Sequence, residues 1–214
     1  MKSGKIAAAA AAVGVLAAAG QAHAASLAVN APCFIEGTPI TATAAGFTPG
    51  GSVNFTFDGQ LADSALADGA GNITEPLVAP VLGTNQLQHT FNLAAQDTTN
   101  PAVAATTPVP VTKFAASFSP KRARPRRKVK FRVQGFPPGR TVYLHYVFHR
   151  KARARVKLGR PKAPCGGLSK RKRFFPMRHP KVGTWTFRFD TRKRYSTASR
   201  PFFSLKVLIF RTFR

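Results

Sequence analysis

The chain has 214 residues, and its 33 Lys and Arg against 7 Asp and Glu give a net charge of +26. This length suits one or two domains. So few carboxylates disfavour enzymes that need paired catalytic acids and sites where several carboxylates hold a cation. The strongly basic balance instead favours an acidic partner.

The N-terminal segment predicts a secretory signal peptide over residues 1–24. Two lysines precede an uncharged run at 6–19, and Ala22-His23-Ala24 has the small-x-small pattern of a cleavage site. The uncharged run is shorter than the ~20 residues that a membrane-spanning helix needs. We therefore expect an exported chain that begins at Ala25, secreted or attached to the cell surface, with no transmembrane segment.

The charges divide the rest of the chain into two parts. Residues 25–112 contain six acidic residues and no Lys or Arg, whereas residues 113–214 contain 31 Lys and Arg and one acidic residue. The second part therefore carries a net charge of +30. Such asymmetry within one chain predicts two domains, an acidic one over 25–112 and a strongly basic one over 113–214.

A short motif occurs once in each part. Residues 46–53 (GFTPGGSV) correspond to residues 135–142 (GFPPGRTV), at an offset of 89 residues. Proline followed by glycine is typical of a tight turn between two strands. Two copies of a unit of this size, each with about seven short strands, predict an all-β fold of two tandem immunoglobulin-like β-sandwich domains.

The predicted strands follow from period-two alternation of apolar and polar residues, as at Val53, Phe55 and Phe57. In the first part, strands are predicted at 27–30, 39–46, 52–58, 61–67, 72–79, 86–95 and 102–111. In the second part, they are predicted at 114–118, 128–135, 141–149, 154–158, 168–174, 183–190 and 202–213.

The first part resembles bacterial surface Ig-like modules. The residues that carry the resemblance are 46–53, then 67–73 (ADGAGNI) and 91–97 (FNLAAQD). The resemblance implies the sandwich fold and names no ligand. The chain, including 157–166, also resembles a group of exported actinobacterial proteins, and this resemblance implies no activity.

Cys33 and Cys165 are the two cysteines, one in each predicted domain. An even cysteine count in an exported protein favours a disulfide. A bridge between them would join the domains and, by the chain-entropy model, stabilise the protein by roughly 4–5 kcal/mol. Intermolecular pairing and two free thiols are the alternatives that the sequence leaves open.

The basic part has no recognisable catalytic or metal-binding pattern. His145 and His149 share the parity of one predicted strand, about 13 Å apart at ~3.3 Å per residue, which is too far for one metal ion. We expect both histidines to lie on the surface. Asp190 is the only acid available to orient a histidine, and no Gly-x-Ser-x-Gly motif occurs. We therefore predict no enzyme activity, catalytic residue, metal or cofactor.

Lys and Arg in the second part are clustered, and many alternate with apolar residues, which places them on the outer face of a sandwich. So large a charge destabilises a compact domain by self-repulsion. We therefore predict that this domain binds a polyanion, since Arg presents a bidentate fork to phosphate or carboxylate. The predicted binding residues are Arg126, Arg127, Lys128, Lys130, Arg153, Arg155, Lys157, Lys170, Arg171, Lys172 and Arg173.

The predicted partner is an anionic polymer of the cell envelope, such as a wall glycan, teichoic acid or phospholipid headgroups. The chain would then be a non-catalytic binding or structural protein. Extracellular nucleic acid is an alternative, because aromatic residues among the charges can stack on bases. These residues are Tyr143, Tyr146, Phe174 and Phe175. A protein adhesion or scaffold module, in which the first domain meets another protein, is a third alternative.

Overall fold

The computed structural model describes residues 24–210, so the predicted signal peptide, except for its last residue, lies outside the described residues. Within this range the secondary structure consists of fifteen β-strands and no helix, which confirms the all-β class. No helix long and apolar enough to cross a membrane therefore occurs in residues 24–210.

The strands follow the period-two alternation of the sequence. In the first part they are β1 (Ser26–Val29), β2 (Phe34–Ile35), β3 (Pro39–Ala45), β4 (Ser52–Phe57), β5 (Gln60–Leu66), β6 (Ile73–Val78), β7 (Gln88–Asp97) and β8 (Ala104–Thr112). In the second part they are β9 (Ala115–Ser119), β10 (Lys128–Gln134), β11 (Val142–Phe148), β12 (Lys151–Gly159), β13 (Leu168–Arg173), β14 (Gly183–Asp190) and β15 (Phe202–Ile209).

The two parts have the same strand order. In the first part the sheets are β1-β3-β6 and β2-β8-β7-β4-β5, and in the second part they are β9-β10-β13 and β12-β11-β14-β15. Among the strands of residues 24–210, the two-residue strand β2 alone has no counterpart, and it pairs in parallel with the end of β8. The repeated motif therefore reflects two copies of one sandwich topology.

Each sandwich encloses its own hydrophobic core between its two sheets. Alternate residues of β4 and β10 point inward, so Val53 and Phe55 are buried in the first core, and Val129 and Phe131 in the second. The domain boundary predicted from the sequence, between residues 112 and 113, coincides with the short connection from β8 to β9. The division of the chain into two independent domains remains a prediction.

Aromatic residues dominate the second core. Phe175 lies between Trp185 and Phe187, with ring centroids 5.2 and 5.1 Å away. The buried aromatic residues of this core are Phe131, Phe136, Tyr146, Phe148, Phe174, Phe175, Trp185, Phe187 and Phe189. The first core contains fewer, namely Phe34, Phe47, Phe55 and Phe57. The second sandwich therefore gains more of its stability from large, geometrically matched side chains.

The repeated Gly-Phe-x-Pro-Gly motif makes the same turn in both sandwiches. Gly46 and Gly135 have φ values of 84° and 76°, in the left-handed region that glycine adopts without steric cost. The phenylalanine that follows each glycine is buried. In the first sandwich the backbone of Phe47 lies against Gly71, where a Cβ atom would collide with the Phe47 carbonyl oxygen, and Gly166 takes this place in the second.

Three local features differ from the sequence predictions. β2 was not predicted, because two residues are too short to show an alternation. β12 begins at Lys151 rather than at residue 154. His149 lies in the turn after β11 with a φ of 48°, so it does not share strand parity with His145.

Replacing Gly71 by alanine should lower the free energy of unfolding by about 2 kcal/mol or more. A left-handed backbone costs a residue with a Cβ about 1–2 kcal/mol, and here the Cβ also collides with the carbonyl oxygen of Phe47. Gly50→Ala is the matched control, since Gly50 has a φ of 69° but no atom within 4 Å of the added Cβ. Urea unfolding measures both variants, and equal losses would contradict the steric explanation.

Candidate anion-binding face and the Asp190 cluster

The outer face of the β9-β10-β13 sheet is lined by basic side chains. Because Val129 and Phe131 are buried, the alternate residues of β10 point outward. On β13, Arg173 lies directly opposite Lys128, and Arg171 lies directly opposite Lys130. We call the outward cations of these two strands the basic sheet face: Lys128, Lys130, Arg132, Arg171 and Arg173.

The basic sheet face combines unpaired cations with hydroxyl groups. Every ion pair in the described part of the chain involves Asp58 or Asp190, and none involves this face. On β9, Ser119 lies opposite Lys130 and Ser117 lies opposite Arg132. The face therefore offers charged and neutral hydrogen-bond donors side by side, which suits an anion that also carries hydroxyl groups.

Four of the predicted polyanion-binding residues lie on the basic sheet face, and the others lie elsewhere. Arg132 was not predicted, although the alternation along β10 places it beside Lys130. Lys170 and Lys172 have the opposite parity on β13, an edge strand, and Arg126 and Arg127 lie in the turn before β10.

The predicted residues Arg153, Arg155 and Lys157 lie on β12, in the other sheet. There the Arg155 guanidinium donates a hydrogen bond to the carbonyl oxygen of Lys193 at 2.7 Å and lies 5.7 Å from the centre of the Tyr143 ring. This arginine therefore braces a connecting segment, and the three residues do not extend the basic sheet face.

A buried polar cluster lies on the outer side of that second sheet. Asp190, the last residue of β14, accepts hydrogen bonds from the Ser199 hydroxyl at 2.9 Å and from the backbone N–H of Arg192 at 3.0 Å. The Nε2 atom of His145 lies 3.2 Å from Oδ1 of Asp190, and Nε of Arg188 lies 3.5 Å from Oδ2. The one Asp or Glu carboxylate of the basic half therefore links β11 and β14 to the segment that follows β14.

The prediction that His145 lies on the surface is wrong, because only 1% of this residue is exposed. The segment 191–201 folds back over β11 and β14 and covers it. The Nε2 atom lies near two acceptors, the Asp190 carboxylate and the Arg192 carbonyl oxygen at 3.0 Å, so Nε2 carries the hydrogen.

Hydrogen bonding sets the ionisation of Asp190. Burial alone would raise its pKa, but hydrogen bonds from His145, Ser199 and the Arg192 backbone, with the charge of His145, hold the pKa below its usual value. Ser199 donates to Asp190 rather than to His145, so the cluster does not have the hydroxyl–imidazole contact of an activated nucleophile. We interpret the cluster as the structural anchor of segment 191–201.

The first sandwich has a corresponding buried carboxylate. Asp97 ends β7, the counterpart of β14, and accepts hydrogen bonds from the Thr48 backbone at 3.1 Å and the Thr99 hydroxyl at 2.6 Å. Hydrogen bonds from these two residues hold the pKa of Asp97 well below its usual value. Residues 24–210 contain no cluster of three or more His, Cys, Asp or Glu that could hold a metal ion.

The two sandwiches are joined by a disulfide between Cys33 and Cys165, whose Cα atoms are 5.3 Å apart. Nearby, the side chain of Gln134 donates a hydrogen bond to Gln88 at 2.9 Å. A cleft of about 530 Å³ lies at this junction, between Leu87 and the adjacent end of the β9-β10-β13 sheet. The disulfide therefore fixes the first sandwich beside one end of the basic sheet face.

No protein-family model and no curated protein matches the chain. Among solved structures, the human OSCAR ligand-binding domain is similar at 12% identity, over 87% of this chain and 98% of that one, with a TM-score of 0.34. A structure of a 1.5-MDa bacterial ice-binding adhesin is similar at 14% identity, over 85% and 62%, with a TM-score of 0.33. A tetra-tandem repeat of a large adhesion protein is similar at 13% identity, over 87% and 49%, with a TM-score of 0.29. These similarities assign no ligand.

Replacing Asp190 by asparagine should lower the free energy of unfolding by about 3 kcal/mol, because the buried Arg188 guanidinium would lose its counter-charge. Asp58→Asn is the control, since Asp58 forms a similar pair with His89 at 3.4 Å but both side chains are more than 40% exposed. We expect the control to change stability by less than about 1 kcal/mol. Equal effects in chemical denaturation would show that burial of the pair does not matter.

The effect of Asp190→Asn should also depend on pH. Because the folded-state pKa of Asp190 is depressed, its stabilisation is complete above the unfolded-state pKa of about 4 and is lost as the pH falls through the folded-state value. The difference in unfolding free energy between the wild type and the variant should therefore narrow below about pH 4. A difference that stays constant from neutral to acidic pH would contradict a charged Asp190.

Proposed function

We propose that this chain is an exported, non-catalytic binding protein that associates with anionic polymers of the cell envelope through the basic sheet face. The observation that carries the proposal is the direct pairing of like charges across β10 and β13, Lys128 with Arg173 and then Lys130 with Arg171. Directly opposed like charges destabilise a sheet. A bound polyanion neutralises them and removes that repulsion, so the arrangement favours the bound state.

The geometry of the face suits a chain of repeated anions. Outward residues recur about every 6.6 Å along a strand, and neighbouring strands lie about 4.8 Å apart. The cations therefore form a grid that a flexible polymer can follow with several of its charged groups. Ser117 and Ser119 lie on the same grid and add hydrogen-bond donors for hydroxyl or carbonyl oxygens.

The positions of the aromatic residues favour a glycan or teichoic-type polymer over nucleic acid. Tyr146, Phe174 and Phe175 would stack on bases if they were on the surface, but all three are buried in the second core. The basic sheet face itself offers cations and serines. Without an aromatic platform on the face, contact with nucleic acid would be limited to its phosphates.

Export is supported by the predicted signal peptide and by the disulfide. Disulfides persist in oxidising compartments outside the cytosol.

A role in adhesion is a second candidate function for the first sandwich, favoured by the exposed Leu61 and Leu66 on its edge strand β5. Exposed apolar side chains on an edge strand are a common site of contact with another protein. The basic sheet face would then anchor the molecule while the first sandwich meets its partner.

The triple substitution Lys130→Gln, Arg132→Gln and Arg171→Gln in the intact mature chain should weaken binding to isolated cell wall and to an acidic polysaccharide. With three contacts fewer, binding releases fewer counterions. The steepness with which log affinity falls with log salt should therefore decrease by about two to three. The matched control is Arg192→Gln, Lys193→Gln and Arg194→Gln, which removes the same charge from the exposed segment that covers the other sheet.

Retention is measured across a salt series, with DNA as a third ligand. We expect the sheet variant to lose roughly tenfold or more in affinity for the wall polymers, while the control stays close to the wild type. Equal losses would mean that binding follows net charge and not the basic sheet face. Absence of wall binding by the wild type at low salt would overturn the proposal, and stronger binding to DNA than to the polymers would favour nucleic acid.

A further inference from the structure

The exposed apolar residues of the second sandwich are gathered at one of its ends. In the part of this sandwich that the structure describes, the large apolar side chains with high exposure are Val182 (50%), Leu208 (63%) and Phe210 (65%). Val182 precedes β14, whose first residue, Gly183, pairs with Ile209 of β15. Residues distant in sequence therefore meet at one place, which we call the apolar tip.

The apolar tip lies at the end of the sandwich opposite the first half. β10 runs from Lys128 to Gln134, and Gln134 contacts the first sandwich through Gln88, close to the disulfide. The turn before Lys128 is at the other end of the strand, and this turn borders the apolar tip. The first sandwich therefore leaves the tip free.

A groove of about 800 Å³ connects the apolar tip with the segment 121–127 between β9 and β10, which we call the basic turn. Phe118 and Phe174 line the groove together with Leu208 and Phe210. The cations that line it are Lys121, Arg122, Arg124, Arg127 and Lys206. None of the described residues that line the groove is acidic. The one acid of the second half, Asp190, is buried at the other end of β14.

We propose that the apolar tip and the basic turn dock on the surface of an anionic lipid bilayer. Leu208 and Phe210 would enter the interfacial region, and the cations of the groove would contact the phosphate groups of the lipids. Exposed apolar side chains ringed by Lys and Arg match this two-layered surface, in which acyl chains lie under anionic headgroups. A water-soluble polyanion offers nothing for the apolar side chains to contact.

This site is distinct from the basic sheet face, so either proposal can fail alone. The apolar tip is built from β15 and from the turns at one end of the sandwich, whereas the face lies on β10 and β13. Docking of the tip on a membrane would leave the basic sheet face at the side of the molecule, available to a polymer that runs past it.

The test uses the intact mature chain and two kinds of vesicle, one of phosphatidylcholine alone and one with an added fraction of phosphatidylglycerol. Co-sedimentation should show binding to the anionic vesicles only. The variant Leu208→Ser, Phe210→Ser should bind them roughly tenfold more weakly, because burial of two large apolar side chains is lost. It should bind the acidic polysaccharide as the wild type does.

A matched control is Leu61→Ser, Leu66→Ser, which removes two apolar residues of similar exposure, 65% and 72%, from the acidic sandwich. This control should bind the anionic vesicles like the wild type. Near-UV circular dichroism verifies that both variants remain folded. Wild-type affinity in the Leu208→Ser, Phe210→Ser variant, or no binding of the wild type to anionic vesicles at low salt, would overturn the proposal.

Discussion

Repulsion among basic side chains is the constraint that the second sandwich must satisfy, because residues 113–214 contain 31 Lys and Arg and a single acid. Its core is correspondingly rich in aromatic residues, which bury large areas and pack in specific geometries. The single carboxylate, Asp190, lies inside, where it neutralises Arg188 and anchors the segment 191–201. The surface cations therefore stay unpaired by acids of their own domain, which keeps them available to an external anion.

The two sandwiches show which features the shared topology requires and which it leaves free. Both retain the Gly-Phe turn, the glycine against which that turn packs, and a buried aspartate at the end of the same strand, Asp97 or Asp190. The phenylalanine side chains and the aspartates are buried, and the aspartates accept hydrogen bonds from backbone N–H groups. The outward positions differ almost completely, since one half has no Lys or Arg and the other has many. What each sandwich can bind is therefore determined by its outward-facing side chains and not by the shared fold.

Local patterns were sufficient to predict the strands, because alternation along a strand follows directly from which face is buried. Local patterns were not sufficient to predict which cations share the basic sheet face. The chain brings β10 beside β13, so four of the predicted cations share a face, while Arg153, Arg155 and Lys157 belong to another sheet despite an equally basic sequence. The burial of His145 could not be predicted for the same reason. The segment that covers it lies more than 40 residues away in sequence, and nothing in the sequence around His145 indicates that this segment packs against it.

The bond between Cys33 and Cys165 spans 132 residues of sequence and bypasses the short connection between the sandwiches. A protease that cuts the chain at Lys113, in that connection, would therefore leave two fragments that are still covalently attached. If the chain is exported as proposed, it meets proteases in its surroundings. A cut between two domains normally lets them separate, unless a second covalent bond joins them. Here the cut molecule would keep both sandwiches together until a reductant separates them.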